Sequence, residues 1–413
     1  MKGIKGNNSE KTRNIIGEMI MERILKDINI LDMTEGVAGP YATTLLGDMG
    51  ASVVKVERPE GEWGRGSEYP LKPSFVAVNR NKRNLCLNLQ NEKARKVVGR
   101  LILRSDVIIS NYRKGVMDRL EFGFQSCLEL NPKIIYCTIS AFGQKGAYSD
   151  HPASDTIIQA LSGIMESIGE TEGPPLRVSF PLIDLYAASL AAQGIMLALY
   201  ARQQGKMGLW VDVNLLNTAM VLQCQALAEF LTNGELPKRC GNQNPALSPA
   251  GAFQTKDGKY ISIAVLREAR WKKFCAALGC SEMFIDERFK DNDRRLINRG
   301  SLNKILIPIF LTKTQEEWIS ALSREDILCG PINTFLDVFT KPGLCESISL
   351  LEFELMGKKV RTGGNPIEIN GEYASVEKTS CLKGEHTNEI LKELNFGQNE
   401  IEAMVNEGIT YQR

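Results

Sequence analysis

Histidine is nearly absent from this chain, since its 413 residues include only His151 and His386. A Ser-His-Asp triad would have to use one of these two. The ten cysteines are scattered and form no CxxC pair, so we expect no metal site and interpret them as reduced, mostly buried residues. The GxxxxGK[ST] phosphate loop and the GxGxxG dinucleotide fingerprint are also missing, which argues against ATP chemistry and against a standard dinucleotide site.

Neither sign of charge dominates, because 50 Lys and Arg residues face 49 Asp and Glu residues. This balance argues against a nucleic-acid or membrane-surface protein. We find no run of about 20 apolar residues that a membrane span requires, and no signal-peptide core near the start. The sequence therefore predicts a cytoplasmic protein, and its 43% apolar content fits two or three packed domains.

The most informative stretch is INILDMTEGVAGPYATTLLGDMGASVVKVERP, residues 28–59. It predicts a strand over 28–33, a helix that begins at Gly39-Pro40, and a second strand over 52–57. A proline at the first helical position has no amide hydrogen to leave unpaired. Such a βαβ unit directs backbone amides at the carboxyl edge of the sheet, where anions bind. Arg58 follows the second strand at that edge, so the stretch predicts a site for a phosphate-bearing cofactor.

Further strands at 85–89, 107–110 and 134–139 alternate with helices, which predicts an α/β fold with a doubly wound parallel sheet. Basic or small polar residues follow these strands at 111–114 and 140–143. A Pro/Asn-rich connector at 238–249 predicts a domain boundary. Beyond it we expect a smaller α+β domain, with a hairpin that turns at Asp257-Gly258.

With histidine so scarce, a carboxylate is the most economical reactive group, and Asp184 stands out because its neighbours are apolar or small. One interpretation is a helix cap that binds backbone amides. The other is a poorly hydrated nucleophile that attacks an acyl carbonyl. The basic residues of NRNKRN also have two interpretations, a solvated turn or an anion site.

Together these motifs resemble family III CoA-transferases. The matching stretches are ILDMTEGVAGPYATTLLGDMGASVVKVERP, NRNKRNLCLNL, SDVIISNYRKG, NPKIIYCTISAFGQKG, the GPP-to-Asp184 run, QGKMGLWVDVNLL and LKGEHTNEILKEL. The resemblance implies that Asp184 is catalytic and forms an aspartyl-CoA thioester while CoA passes from an acyl-CoA donor to a carboxylic acid. It implies CoA contacts at Val37, Ala38, Arg58, Val78, Asn79, Arg80, Asn81, Asn111, Tyr112, Arg113, Arg119, Ser140, Ala141, Phe142 and Gly143.

The resemblance also implies an interlocked homodimer without a metal or a nucleoside triphosphate. Its Rossmann-like large domain would combine N- and C-terminal segments. We accordingly predict an N-terminal extension (1–23), a large CoA-binding domain (24–237), a small domain with linkers (238–346) and a returning C-terminal segment (347–413).

Two alternatives share the resemblance. α-Methylacyl-CoA racemases pair the equivalent aspartate with a histidine, and Ser154 stands at that position here, which favours transfer over racemisation. A non-catalytic CoA-binding homologue is the other alternative. The stretch NQNPALSPAGAFQT lacks the glycine run of formyl-CoA transferases, so the resemblance does not imply formyl or oxalyl specificity, and a larger acyl group is at least as compatible with the sequence.

Overall fold

The structure is a computed structural model that describes residues 24–65, 72–374, 376 and 378–412. The predicted N-terminal extension, residues 1–23, lies outside this part of the chain. The strands are β1 Asn29–Met33, β2 Ser52–Glu57, β3 Lys82–Leu87, β4 Val107–Ser110, β5 Ile135–Ser140, β6 Leu209–Asn214, β7 Ala250–Gln254, β8 Tyr260–Ala264, β9 Leu328–Pro331, β10 Leu350–Leu355, β11 Lys358–Gly363, β12 Glu368–Ile369, β13 Glu372–Tyr373 and β14 Thr410–Tyr411.

The helices are α1 Ala38–Asp48, α2 Pro73–Ala77, α3 Glu92–Arg104, α4 Val116–Arg119, α5 Phe124–Leu130, α6 Asp155–Leu161, α7 Ile164–Ser167, α8 Leu182–Gln203, α9 Leu215–Leu222, α10 Cys224–Asn233, α11 Glu268–Ala277, α12 Glu282–Ile285, α13 Asn292–Ile297, α14 Arg299–Phe310, α15 Gln315–Arg324, α16 Phe335–Thr340, α17 Thr387–Glu393 and α18 Gln398–Asn406. Short 3₁₀ turns occur at Trp63–Arg65, Glu287–Phe289 and Cys345–Ser347.

The central sheet of the described residues contains seven strands in the order β14-β3-β2-β1-β4-β5-β6. Strands β1 to β6 pair in parallel, and β14 pairs antiparallel with β3 at one edge. The predicted α/β fold with a parallel sheet is therefore confirmed. The strand order reverses between β1 and β4, so the loops after these two strands diverge and open a crevice at the carboxyl end of the sheet.

Helix α3 covers one face of this sheet together with the C-terminal helices. Its first turn is capped by Asn91, whose side chain accepts a hydrogen bond from the Lys93 amide at 2.8 Å. The buried stripe of α3 includes Val97, Leu101 and Ile102, spaced as one helix face requires. These side chains share a core with residues of α17 and α18. Segments from both ends of the described chain thus build one hydrophobic layer.

Helix α8 packs against β5, β6 and α1 on the sheet. With 22 residues and a mean hydropathy of 1.6, it is long and apolar enough to cross a membrane, although the sequence led us to expect no such segment. The sequence criterion required an uninterrupted apolar run, which α8 does not have. The few polar residues of α8 lower its mean hydropathy only slightly, so the helix still meets a criterion based on length and composition. Core helices of globular proteins meet the same criteria, and Ala187, Ala191 and Ile195 of α8 are buried here.

By its internal contacts the chain divides into two compact units. Of the residues that the structure describes, the first unit comprises those within 24–162, 178–227 and 348–412, and the second comprises 163–177 and 228–347. The second unit has its own core, in which Phe253 stacks on Phe310 at 4.7 Å and Trp271 and Trp318 are buried. Its antiparallel strands β7, β8 and β9 pair in that order. The domain boundaries given above stay a prediction.

Two segments with the apolar periodicity of a single helix are each divided in the structure. The segment 155–168 forms α6 and α7, because Gly163 adopts φ +84° between them. The segment 215–231 likewise divides into α9 and α10 around Gln223. Local helical periodicity did not reveal either interruption.

Candidate functional site

A cleft of about 510 Å³ lies at the carboxyl ends of β1, β4 and β5 in the first unit. Eight of the site residues predicted from the sequence line it, namely Val37, Ala38, Asn111, Tyr112, Arg113, Ser140, Ala141 and Asp184. Other residues of its wall are Glu35, Trp63, Lys114, His151, Ser154 and Asp155. The crevice expected from the reversal of strand order is therefore the place where these loops meet.

Asp184 is the third residue of helix α8, and its carboxylate does not cap that helix. The capping group is Asp155, which comes from α6 and is buried. One oxygen of Asp155 accepts the amide hydrogens of Ile183 and Asp184 at 2.8 and 3.1 Å. Its other oxygen accepts from Gln159 at 2.6 Å. The capping interpretation of Asp184 is therefore wrong, and the Asp184 side chain is left for another role.

Burial raises the pKa of Asp184 to about 7, and the nearby Asp155 carboxylate adds to the increase. Both effects disfavour the ionised form of Asp184. A carboxylate that is poorly solvated, yet ionised in a large fraction of molecules near neutral pH, is more nucleophilic than one in water.

Glu35 and Asn111 join the loops that follow the two diverging strands. The Asn111 side chain accepts from the Glu35 amide at 2.9 Å and donates to the Glu35 carbonyl at 2.7 Å. The Glu35 carboxylate in turn binds the Arg58 guanidinium at 2.6 and 2.8 Å. Arg58 thus lies beside the cleft with a carboxylate partner already in place.

Cationic side chains lie on the loop after β4 and in the short helix α4 that follows it. Arg113 and Arg119 are exposed and have no hydrogen bond or ion pair with another described side chain. Lys114 donates to the Ser149 hydroxyl at 2.8 Å and lies 3.8 Å from the Asp150 carboxylate. Arg113 lines the cleft, so its guanidinium group is available to an anionic ligand there, whereas Arg119, the last residue of α4, is not among the lining residues.

The turn after β5 is fixed by Ser140, whose hydroxyl accepts from the Gly143 amide at 3.0 Å. Gly143 adopts φ +83°, a conformation that favours glycine. Phe142 contacts Tyr148 with 5.5 Å between ring centroids, and Tyr148 contacts His151 at 5.0 Å. Ser140 and Ala141 line the cleft, whereas the predicted contacts Phe142 and Gly143 are not among its lining residues.

The predicted contacts at 78–81 do not line the cleft. Arg80 is buried and binds Asp48 through two hydrogen bonds of 3.0 and 2.6 Å. Asn81 donates to the same carboxylate at 2.8 Å, and Asn79 donates to the Phe75 carbonyl at 3.1 Å. Neither a solvated turn nor an open anion site describes these side chains. Their assignment to CoA binding stays a prediction.

Lys82 links three segments beneath the cleft. Its buried ammonium donates to Asp32 at 3.0 Å, to the carbonyls of Pro40 and Val78 at 2.8 and 3.1 Å, and to Asn79 at 3.0 Å. Burial lowers the pKa of Lys82 to about 8, although the Asp32 carboxylate opposes this effect. One buried charge therefore holds strand β1, the first turn of α1 and the turn before β3 together.

Asp32 continues this network at the end of β1. Its carboxylate accepts from the amide and hydroxyl of Thr34 at 3.0 and 2.5 Å and from the Thr43 hydroxyl at 2.6 Å. Burial alone would raise the pKa of Asp32, but Lys82 and Lys55 outweigh it and hold this pKa well below its usual range. Lys55 also donates to the Thr34 carbonyl at 2.6 Å. The loop that forms one side of the cleft thus rests on buried, compensated charges.

Sequence reasoning missed Asp155, Trp63 and His151 as residues of the site. The sequence does not show the contact of Asp155 with α8, which is made 29 residues away. Trp63 carried a weak signal, since it is one of only four tryptophans in the chain. Among the described residues, no group of three or more His, Cys, Asp or Glu residues is placed to hold a metal ion.

Comparison with known proteins gives a consistent result. The model of CoA-transferase family III matches residues 25–387. Succinyl-CoA:mesaconate CoA-transferase of Haloarcula marismortui is 32% identical over 403 residues, which cover 92% of this chain and 99% of that protein. Succinyl-CoA:glutarate CoA-transferase of Mus musculus is 32% identical over 396 residues, which cover 94% and 90%. A CAIB/BAIF family protein from Brucella suis matches with a TM-score of 0.80 at 29% identity and covers 90% and 99%.

Proposed function

Because this chain belongs to CoA-transferase family III, we propose that it moves CoA from an acyl-CoA donor to a carboxylic acid through a thioester on Asp184. The observation that carries the proposal is the state of the Asp184 carboxylate. It lines the cleft, it is released from helix capping by Asp155, and its pKa is raised to about 7. Such a group is suited to attack a thioester carbonyl.

The reaction has four steps that balance. The ionised Asp184 oxygen attacks the donor thioester carbonyl, the C–S bond breaks, and a mixed anhydride and CoA thiolate form. The thiolate then attacks the Asp184 carbonyl carbon, which releases the donor carboxylate and leaves an aspartyl-CoA thioester. The acceptor carboxylate attacks this thioester to give a second mixed anhydride and the thiolate. The thiolate finally attacks the acceptor carbonyl, so that acceptor acyl-CoA leaves and the Asp184 carboxylate is restored.

A thioester is exchanged for a thioester in this cycle, so its free energy changes little and no ATP is consumed. What the protein must supply is position and a poorly hydrated nucleophile. Asp155 supplies part of both, since it fixes the first turn of α8 and its charge raises the pKa of Asp184. Its role is that of a positioning residue.

For the phosphates of CoA we propose the unpaired guanidinium groups of Arg113 and Arg119, since their donor geometry matches phosphate oxygens. The backbone amides of the loop before α1 offer further donors beside the cleft. Arg58 would have to share its guanidinium between Glu35 and the ligand. The metal-free, ATP-free reaction predicted from the sequence is part of this proposal.

For the acids we propose short dicarboxylic acids. The two curated relatives described above are named for transfer from succinyl-CoA to mesaconate or glutarate, and all three acids carry two carboxyl groups. Succinyl-CoA is therefore the donor to test first, against a panel of mono- and dicarboxylic acceptors analysed by mass spectrometry.

The experiment that tests the proposal is to trap the intermediate. Hydroxylamine or borohydride added during turnover with succinyl-CoA should modify Asp184, and peptide mass spectrometry should locate the label there. Asp184→Ala should lose exchange, whereas Asp27→Ala, which removes an exposed carboxylate outside the cleft, should keep it. Exchange that persists in Asp184→Ala would refute the proposed intermediate.

One observation favours a second candidate, racemisation of a 2-methylacyl-CoA. His151 lines the same cleft as Asp184, although Ser154 occupies the position of the racemase histidine. Incubation with a 2-methylacyl-CoA in deuterium oxide, without an acceptor acid, separates the two. Deuterium at the α-carbon would support racemisation, and its absence together with exchange would support transfer.

We propose in addition that the active protein is the interlocked, cytoplasmic homodimer implied by the resemblance, with a Rossmann-like domain of N- and C-terminal segments. Helix α8 exposes large apolar side chains, Leu197 and Tyr200 among them, which an interface would cover. Sedimentation equilibrium measures the assembly directly.

A further inference from the structure

Trp63 is a large aromatic side chain that stands exposed in the wall of the cleft. It is 70% exposed, whereas Trp271 and Trp318 are 1% exposed and lie in the core of the second unit. Trp210, at 44% exposure, lies outside the cleft lining and stacks on Phe124. An exposed tryptophan is informative when it borders a cleft that also contains reactive groups, because burying such a ring on a ligand releases much apolar surface.

Buried ion pairs on both sides hold this tryptophan in place. The preceding residue, Glu62, is buried with its carboxylate 2.8 Å from the Lys55 ammonium. Two residues later, Arg65 is buried, binds Glu57 at 2.7 Å and donates to the Cys381 carbonyl at 3.0 Å. The backbone on either side of the exposed ring is therefore anchored in the protein. The exposure of Trp63 is a property of a fixed turn.

Steric contacts define where the ring lies. Gly36 adopts φ +83°, and a Cβ atom added there would lie 2.8 Å from Cζ2 of Trp63. A Cβ atom at Gly64 would lie 2.5 Å from the Glu62 carboxylate. Larger residues at either glycine would displace the ring or the turn. The six-membered ring of the indole, at its Cζ2 edge, thus faces the loop that leads to Val37 and Ala38.

We propose that Trp63 contacts the acyl end of bound acyl-CoA and is a specificity-determining residue for the acyl group. The inference rests on the proposed function, since it takes acyl-CoA as the ligand of the cleft. An uncharged indole suits the acyl and pantetheine part of the ligand, while the guanidinium groups after β4 suit its phosphates. The indole N–H has no hydrogen-bond partner among the described residues, so it is available to an oxygen of the acyl group.

Tryptophan fluorescence tests the contact without relying on turnover. Succinyl-CoA should change the emission of the wild-type protein, and Trp63→Phe should abolish that change. Trp210→Phe is the matched control, because it removes the other exposed tryptophan of the same unit, and it should retain the change. Asp184→Asn should retain it as well, since binding does not require the nucleophile. An unchanged wild-type emission, or a change that survives in Trp63→Phe, would overturn the proposal.

Kinetics test the specificity. In Trp63→Ala we expect kcat/KM for succinyl-CoA to fall by about 10-fold or more, because a lost pocket contact of this size has effects of that order. The loss should be smaller for bulkier acyl groups, which refill the vacated space, so the preference among acyl-CoAs changes. Equal kcat/KM changes across the acyl series would overturn the specificity role. Asp184→Ala separates a failure of this proposal from a failure of the proposed function. If the proposed function is wrong, Asp184→Ala keeps CoA exchange, whatever the result for the Trp63 variants.

Discussion

Asp184→Asn should abolish CoA exchange and, at about pH 8, make the protein more stable. In the wild-type protein the ionised carboxylate of Asp184 is poorly solvated and lies near the negative charge of Asp155. The amide is neutral and nearly the same size, so it removes an unfavourable charge without creating a cavity. Residues selected for reactivity in this way commonly lower the stability of the fold that holds them.

The magnitude follows from the pKa. A rise from 3.8 to about 7 corresponds to at most about 4 kcal/mol against the ionised form. Asp184 is partly exposed, and solvent screening reduces this value, so we expect a gain of about 1–2 kcal/mol in the free energy of unfolding. Because the folded-state pKa is raised, the wild-type protein is more stable at low pH and loses that stability as the pH rises through about 7. The gain in the variant should therefore fall to less than half at about pH 5.

Urea denaturation followed by circular dichroism, at about pH 8 and about pH 5, measures both values for the wild type and the variant. Equal m-values would show that the same surface is exposed in each unfolding reaction. The reasoning would be refuted if Asp184→Asn were less stable than the wild type at about pH 8, or if the gain were the same at both pH values.

Asp155→Asn keeps an oxygen for the first turn of α8 but removes the charge near Asp184, so the acidic limb of the kcat/KM profile should move to lower pH by roughly half a unit or more; an unmoved limb contradicts this. Lys82→Met removes the buried charge that links three segments, so the free energy of unfolding should fall by about 3 kcal/mol or more. Because these segments support the cleft, KM for acyl-CoA should rise more than kcat falls. An unchanged KM would contradict the role of Lys82 in supporting the cleft. Gly39→Ala should lower the free energy of unfolding by about 1–3 kcal/mol, because the added Cβ would lie 2.3 Å from a buried threonine. The control Gly99→Ala adds a Cβ with nothing within 4 Å and should not destabilise the protein. Equal effects of the two substitutions in thermal denaturation would refute the steric argument.

Much of the fold was accessible from the sequence because parallel α/β folds have a strong local signal. Strands β2 and β4 begin and end at the predicted residues. The sheet edge was accessible too, since loops that follow parallel strands must meet at one end. The structure accordingly brings Val37, Asn111 and Ser140 into one cleft.

Contacts between distant residues were not accessible. Nothing local shows that Arg80 pairs with Asp48, 32 residues earlier, so its charge was read as available to a ligand. In the same way, the cap of α8 comes from Asp155, and a helix start read by itself assigned that task to Asp184. Composition and periodicity describe a residue and its sequence neighbours, whereas these roles depend on partners brought together by folding.

The pairing of β14 with β3 has a consequence for how the central sheet forms during synthesis on the ribosome. Its Thr410 hydroxyl donates to the Cys86 carbonyl of β3, and the two residues are 324 positions apart. At about 5–20 residues per second, the edge of β3 waits roughly 15 to 65 seconds for its neighbour. During that time its backbone can pair with a strand of another nascent chain. Translation speed and chaperone capture over the intervening residues thus bear directly on the yield of folded protein.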